Sequence, residues 1–325
     1  MILNQTFELS MILDSDPFRR IFDNKVGYLK ELDDEYLDTS LAAKGITFIY
    51  RNSRYNKKKV RVLVNAGMVV DDPSDTNKLL HKLDKRISEY FDHKYRLDDF
   101  TLFGVTLAVD IAVGSREKVS DYLKVIKRIG KVKGFSPITY DCFDEKASFC
   151  LSGNSNDTDF LLYNLETAVW DQMRSADAGR KQLQSASEQT RGILRTEVRM
   201  TKPKAIREYA DAANVASQIT KIMKNSTDAF VDVFAQVVPF GDFYKMDAAV
   251  EIIRNEVEDN TMRRKMLRLL ALLPDKKSLH LAQKAMNCRD VEQVMMAFTK
   301  INLSPVTISK RHEAKHLDNL YSYFL

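Results

Sequence analysis

Short runs that are apolar, or that alternate between apolar and polar residues, predict β-strands through the N-terminal two thirds of the chain. The predicted strands are 6–13, 45–50, 60–65, 100–113, 148–151, 160–163 and 192–200. Two pairs of these strands, 45–50 with 60–65 and 148–151 with 160–163, flank turn-forming segments and predict hairpins. The run 100–113 is almost wholly apolar, and we expect a central strand covered on both faces.

Apolar residues at helical spacing predict helices over 75–91, over 116–129 and, from Pro203 at a helix N1 position, over 204–238. The stretch Val238–Gly241 predicts a break, beyond which we expect 246–325 to be all-helical. The predicted fold class is therefore α+β: a central antiparallel sheet with flanking helices, followed by an all-α C-terminal region. The predicted domains are 1–202, which carries the candidate chemistry, a helical connection 203–245, and a helical domain 246–325.

Composition describes a soluble globular protein with no sign of a disulfide framework. Of 325 residues, 44% are hydrophobic and 29% are charged, and the net charge is +5. The three cysteines, Cys142, Cys150 and Cys288, are odd in number and have no CxxC spacing. This pattern argues against disulfides and a structural zinc site and favours a reducing compartment. Because no apolar run approaches the ~20 residues of a membrane span, we expect a cytoplasmic protein without membrane contact.

Two segments carry the cations that could bind nucleic acid. The tip of the first hairpin is basic and interleaved with tyrosines, which would suit a DNA backbone and stacked bases. A solvated hairpin end, whose like charges oppose edge pairing, is an equal alternative. The second segment is an amphipathic helix at 261–273, followed by two helices around an Asn287-Cys288 turn, which is compatible with a helix-turn-helix or with an ordinary helical pair. The candidate DNA-binding residues are Arg51, Arg54, Lys57, Lys58, Lys59, Arg263, Arg264 and Lys265.

Polar residues at three positions of the predicted sheet are candidates for chemistry. Asp110 interrupts the most apolar strand, so its carboxylate must be paired or bind a cation. Tyr163 lies in an apolar strand; a tyrosine there is usually a packing residue, but a phenol can also be a positioned nucleophile. Arg195, Glu197 and Arg199 share one face of their strand, where they predict either an ion-pair ladder or a surface for phosphate or metal.

A zinc-protease pattern at the C-terminal end of the chain is set aside. His312-Glu313-Ala314-Lys315-His316 matches HExxH. A catalytic zinc site needs a third protein ligand, and Asp318 is the sole carboxylate that follows. We interpret the match as a chance one.

Three of these segments, in this order, resemble the rolling-circle replication initiators of the plasmid Rep-trans and filamentous-phage gene II type. Val105–Asp110 (VTLAVD) is similar to the family's "LDLAFD" strand, Phe160–Asn164 (FLLYN) to its strand ending in "Y-(D/N)-K", and Leu194–Arg199 (LRTEVR) to its "LRxEV" strand. The resemblance covers roughly 45–202. This sequence departs from the family pattern at Thr106, where an aspartate is frequent, and at Leu165, where a lysine usually follows.

The resemblance implies a relaxase-like (HUH) core that nicks and rejoins DNA to initiate rolling-circle replication or conjugative transfer. Tyr163 would attack the scissile phosphate and form a 5′-phosphotyrosyl link, Asp110 and Glu197 would hold Mg²⁺ or Mn²⁺, and Arg195 and Arg199 would stabilise the transition state. The implied substrate is single-stranded DNA or a hairpin origin, the implied partners are a host helicase and polymerase, and a homodimer is allowed. The alternative is a non-catalytic DNA-binding replication or copy-control protein.

Overall fold

A nine-stranded antiparallel sheet organises the protein. The computed structural model describes residues 3–14, 16–17, 20, 35–52, 57–141, 143–155, 157–175 and 180–323. The strands are β1 (Asn4–Asp14), β2 (Glu35–Asp38), β3 (Ile46–Asn52), β4 (Lys57–Asn65), β5 (Thr101–Ala112), β6 (Phe135–Pro137), β7 (Ser148–Gly153), β8 (Thr158–Asn164) and β9 (Ile193–Met200). Their order across the sheet is β2-β3-β4-β1-β5-β9-β8-β7-β6. Each of the predicted strands is confirmed, and both predicted hairpins pair as expected.

Helices pack on the face of the sheet that receives the apolar alternates of each strand. The helices are α1 (Ala66–Val69), α2 (Thr76–Tyr90), α3 (Arg116–Ile126), α4 (Leu165–Ser175), α5 (Arg180–Thr190), α6 (Pro203–Ala210), α7 (Val215–Val237), α8 (Met246–Glu256), α9 (Asn260–Lys276), α10 (Leu279–Ala285) and α11 (Val291–Lys300). Phe7, Val62, Leu107 and Phe160 point into a core that α2, α3, α6 and α7 close. Period-2 strands and period-3.6 helices therefore meet in one buried apolar layer.

The opposite face of the sheet is polar and largely open, which corrects the prediction that β5 is covered on both faces. Leu107, Val109 and Ile111 enter the core, whereas Thr106 is partly exposed and Asp110 is exposed. The open-face positions Gly104, Thr106 and Ala108 are small, so the sequence alone reads as a continuous apolar run.

The C-terminal region is α-helical only as far as Lys300, with a short 3₁₀ helix at Leu320–Tyr323, and the prediction of an all-helical 246–325 is wrong for its last part. A two-stranded ribbon, β10 (Phe243–Tyr244) with β11 (His316–Leu317), and isolated bridges replace the expected helix. The backbone groups there bond to a distant segment, since the Ile308 N–H donates to the Tyr244 carbonyl over 2.8 Å. Long-range pairing of this kind leaves no periodic signal in the sequence.

Hydrogen bonds tie this region to the sheet domain. The Tyr122 hydroxyl on α3 donates to the Asp318 carbonyl over 2.9 Å, and the Ser278 hydroxyl donates to the Lys131 carbonyl over 2.8 Å. Buried apolar residues form one cluster that extends from the sheet into α9 and α11. The domain boundaries stay a prediction. No helix in the described part of the chain is long and apolar enough to cross a membrane.

Candidate active site on the open sheet face

The register of the central strands places Asp110, Arg195 and Tyr163 side by side. Asp110 on β5 pairs with Arg195 on β9, and Arg195 pairs with Tyr163 on β8. Directly paired residues of an antiparallel sheet point to the same face, so all three reach the open face. Glu197 and Arg199 follow on β9 at two-residue steps and share that face, as the sequence predicts. The predicted catalytic and metal-site residues therefore lie together.

Tyr163 donates a hydrogen bond of 2.5 Å from its hydroxyl to Oε1 of Glu197. The side chain is only 5% exposed and packs in a small apolar cluster, with the Phe143 ring centroid 4.3 Å from its own. Burial raises the pKa of the Tyr163 phenol well above its ordinary value, and the Glu197 carboxylate adds to the shift. The phenol is therefore protonated at neutral pH, and a carboxylate lies in position to accept its proton.

Glu197 is held from its other oxygen by Arg199. The Arg199 Nε donates to Oε2 over 2.7 Å, and Nη2 of the same arginine lies 2.6 Å from that oxygen. Glu197 is 6% exposed, so its charge is compensated inside the sheet surface. The carboxylate thus connects a phenol and a guanidinium in one hydrogen-bonded chain.

Asp110 and Arg195 form a bidentate ion pair beside this chain. Arg195 donates from Nε to Oδ1 over 2.5 Å and from Nη2 to Oδ2 over 2.7 Å. Both side chains are about one third exposed, and the pair lies at the open end of the row next to Tyr163. The remaining terminal nitrogen of Arg195, Nη1, takes no part in the pair.

The predicted Mg²⁺ or Mn²⁺ does not fit this arrangement. Both oxygens of Asp110 accept hydrogen bonds from Arg195, while those of Glu197 are taken by Tyr163 and Arg199. A divalent cation needs several oxygen ligands of its own, and here each carboxylate is already neutralised by an arginine. Among the described residues, no group of three or more His, Cys, Asp or Glu side chains is placed to hold a metal ion.

Two grooves meet at the Tyr163–Glu197 pair. One, of about 430 Å³, has Gly104 and Thr106 among its lining residues and reaches Glu197 and Arg199. The other, of about 840 Å³, borders Tyr163 and is lined in part by side chains of α4. The phenol therefore borders the larger groove, and its carboxylate partner Glu197 borders the smaller one.

A second tyrosine, Tyr140, borders the first groove. Its hydroxyl donates to Oδ2 of Asp159 over 2.5 Å, and the Arg199 guanidinium lies 5.3 Å from its ring centroid. Asp159 pairs directly with Arg199 across β8 and β9. The two phenols, each bound to a carboxylate, therefore flank the same arginine.

The basic residues of the first hairpin are described only in part. Arg54 lies outside the described residues, as do the side chains of Lys57 and Lys58. Arg51 is exposed and lies 3.6 Å from Glu35, and the Lys59 ammonium lies 4.0 Å from the centroid of the Phe103 ring. Arg51 and Lys59 both project from the open face.

Two of the three cations predicted on the C-terminal helix have structural roles. Arg263 donates from Nε and Nη2 to the Val257 carbonyl, and Lys265 pairs with Asp290. Arg264 is exposed on α9. Arg263 and Lys265 therefore bond to groups of the protein itself, which weakens the case for DNA binding by this helix.

Sequence reasoning missed Phe103 and the Arg61–Glu8 pair on the open face. The register of β1 against β5 shifts between Glu8 and Leu9, which leaves Phe103 as an extra residue turned toward Lys59. Arg61 donates to both oxygens of Glu8, at 2.7 and 2.8 Å. The neighbours of Phe103 in the chain are apolar or glycine, so the shift in alternation that a bulge causes is not visible in the sequence.

Comparison with known proteins identifies no relative: neither a protein-family model nor a curated protein matches the chain. The two departures from the initiator pattern have clear positions in the structure. Thr106 lines the smaller groove opposite Arg199, and Leu165 is buried against Tyr163 at the start of α4. Arg195 and Arg199 are then the cations nearest to the phenol.

Proposed function

We propose that this protein is a tyrosine-dependent DNA nicking and rejoining enzyme of the rolling-circle initiator kind. The observation that carries the proposal is the hydrogen bond from Tyr163 to Glu197, in a row with two arginines on the open face of the sheet. A phenol, a base and two guanidinium groups are the set that phosphoryl transfer to tyrosine requires. The Mg²⁺ or Mn²⁺ requirement that the resemblance implies stays untested, and the steps below use side chains of this protein alone.

The chemistry follows from the partners of each group. Glu197 takes the phenolic proton as the Tyr163 oxygen attacks phosphorus, and the bond from phosphorus to the 3′ oxygen breaks. The product is a 5′-phosphotyrosyl link and a free 3′-hydroxyl that can prime synthesis. Because the new ester resembles the one that was broken, a later 3′-hydroxyl can reverse the step and rejoin the strand.

The open face also offers a path for single-stranded DNA. The Arg195–Arg199 edge leads across β5 and β1 to Arg61, Lys59 and Phe103, which combine cations with an aromatic ring. Such a combination binds a phosphate backbone and stacks bases without needing a duplex. A nucleophile set into a sheet would not reach a phosphate of an intact duplex, so single-stranded or extruded DNA is the substrate we propose.

The decisive experiment asks for a covalent adduct. A randomised pool of single-stranded DNA labelled at its 3′ end is incubated with the protein, and labelled protein that survives denaturing electrophoresis is scored. We expect an adduct whose labelled peptide contains Tyr163, and we expect Tyr163→Phe to abolish it. The matched control is Tyr321→Phe, which removes another buried and hydrogen-bonded hydroxyl away from this face and should leave the adduct intact.

A second candidate function, a DNA-binding protein without nicking activity, is favoured by one observation. Tyr163 is buried, and burial with the neighbouring carboxylate opposes its ionisation. Strong binding of the pool with no adduct under any condition would support this candidate and overturn the first.

A further inference from the structure

We infer that the strand transfer is performed without a divalent metal, with Glu197 as the general base and with Arg195 and Arg199 neutralising the phosphate. This inference rests on the proposed function and concerns the chemistry of the same site. It departs from the metal site that the resemblance implies, because these carboxylates are committed to other partners.

All four carboxylate oxygens of the site already accept hydrogen bonds. Glu197 receives the phenol on Oε1 and Arg199 on Oε2, and Asp110 is bound by Arg195 through both oxygens. To coordinate a cation, these oxygens would have to release charge-assisted hydrogen bonds, which are among the strongest in proteins. An anion, by contrast, would meet guanidinium groups already in place.

The charges of the four side chains cancel before the reaction begins. Asp110 and Glu197 contribute two negative charges, and Arg195 and Arg199 contribute two positive ones. When Glu197 accepts the phenolic proton it becomes neutral, and these four side chains together gain one positive charge. That gain coincides with the extra negative charge that forms on the phosphate oxygens, so the stabilisation increases in the transition state.

The two arginines bind their carboxylates through the same two nitrogens. Each uses Nε and Nη2 for its carboxylate, so Nη1 is the donor of each that takes no part in the pair. Arg195 is the direct cross-strand neighbour of Tyr163, and Arg199 lies four residues along the same strand and the same face. A phosphate attacked by Tyr163 would therefore lie between two guanidinium groups whose orientation the carboxylates fix.

The covalent step balances without a further reactant. The Tyr163 oxygen forms the bond to phosphorus and its proton moves to Oε1 of Glu197. The electrons of the broken bond stay on the 3′ oxygen, which takes a proton from water. In rejoining, the 3′-hydroxyl gives its proton back to water as its oxygen attacks phosphorus, the phenolate leaves, and the proton on Glu197 returns to the phenolate.

The test repeats the adduct assay with metal-free protein in excess EDTA and again with added Mg²⁺ or Mn²⁺. We expect the rate of adduct formation to agree within about threefold between these conditions. An adduct that forms only with the metal would overturn this inference and leave the proposed function standing. No adduct in either condition would overturn the proposed function itself, so the two failures are distinguishable.

Variants of the base and the arginines give a readout that a purely structural role would not move. Glu197→Gln should slow adduct formation by about 10²–10⁴-fold at neutral pH and make the rate rise with pH, because hydroxide must then remove the phenolic proton. Arg199→Lys keeps the charge but loses the fork and should cost about 10²–10³-fold in rate. A metal-free rate in Glu197→Gln equal to that of the unaltered protein would contradict the assignment of the base, and thermal unfolding of each variant identifies any that fail to fold.

Discussion

At the scale of single residues, the Tyr163 hydroxyl that donates to Glu197 should matter far more for activity than for folding stability. A hydroxyl that donates to a carboxylate contributes a modest net free energy to folding, because water offers comparable bonds in the unfolded chain. The same hydroxyl is indispensable if it is the nucleophile. Stability and activity should therefore respond very differently to its removal.

We predict that Tyr163→Phe lowers the free energy of unfolding by about 1.5–3 kcal/mol, the range for a hydrogen bond to a charged group. The ring stays in its cluster with Phe143, and Arg199 still holds Glu197. Urea unfolding of the variant beside Tyr321→Phe measures this. A loss of several kcal/mol confined to Tyr163→Phe would show that the contact is mainly structural, and would remove the reason to call the phenol a nucleophile.

At the scale of elements, the β-bulge in the pairing of β1 with β5 gives the open face its aromatic residue. Without the register shift after Glu8, strict alternation would send Phe103 to the side that the helices cover and expose Leu102, which is instead buried. Bulges often re-aim a side chain next to a functional surface. Here the re-aimed ring lies beside Lys59 on the proposed DNA path.

We predict that Phe103→Ala weakens binding of single-stranded DNA by about tenfold, as expected when one base loses a stacking partner worth about 1–3 kcal/mol. Fluorescence anisotropy with a labelled oligonucleotide measures the affinity. Met296→Ala, which truncates a well-exposed apolar residue on α11, is the control and should bind as the unaltered protein does. Equal affinities of the two variants would exclude a path over Phe103.

A second prediction at this scale concerns the contact between the loop after α3 and the turn that joins α9 to α10. Gly130 has φ +62°, and a Cβ there would lie 2.2 Å from the Lys277 carbonyl oxygen. Gly134 has φ +83° but open space around it. Gly134→Ala should therefore cost only the backbone penalty of about 1 kcal/mol, while Gly130→Ala adds a backbone clash and should cost several kcal/mol more.

Thermal and urea unfolding of the two glycine variants provide the measurement. Both glycines have a positive φ, and only Gly130 has the close approach, so a larger loss in Gly130→Ala is the expected sign of the backbone clash. Equal losses would mean that the C-terminal region can move away from the sheet at little cost. The tie between Ser278 and Lys131 beside this contact argues against that outcome.

At the scale of elements, the sequence predicted where strands lie and which side chains share a face. It did not predict which distant strands pair or in what register. Apolar runs located β5 and β8, and in β9 the period of two put Arg195, Glu197 and Arg199 on one face, because the side-chain period of a strand is fixed by its backbone. The partners of these side chains depend on the register between strands far apart in sequence. The sequence therefore left open whether Asp110 is paired or binds a cation, and its bidentate bond to Arg195 is seen only in the structure.

At the scale of the whole molecule, the two faces of the sheet have different roles. One face buries the apolar core under α2, α3, α6 and α7, and supplies the stability that the other face does not. The open face carries arginines and carboxylates in pairs, together with phenols bound to carboxylates. Burial and acidic neighbours around these phenols also set how the protein responds to alkali.

Several tyrosines of this protein should stay protonated well above the pH at which an exposed phenol ionises. Burial is the main cause that raises the pKa of Tyr50, Tyr122, Tyr140, Tyr163 and Tyr321. Their pKa in the unfolded chain is close to 10. Because the pKa values of these phenols are higher in the folded protein, their stabilising contribution is fully present below about pH 10. Above that pH the unfolded chain ionises first, and the contribution is lost as the pH rises through the pKa values of the folded protein.

We therefore predict that the free energy of unfolding is flat with respect to these groups at neutral pH and falls steeply above about pH 10. Urea unfolding at a series of pH values, with tyrosinate absorbance of the folded protein recorded alongside, measures both quantities. The absorbance should rise in two stages: exposed tyrosines first, and the buried set together with unfolding. If all the phenols of the folded protein ionised together near their ordinary pKa, the buried phenols would be accessible to water, and Tyr163 would not need the carboxylate of Glu197 to lose its proton.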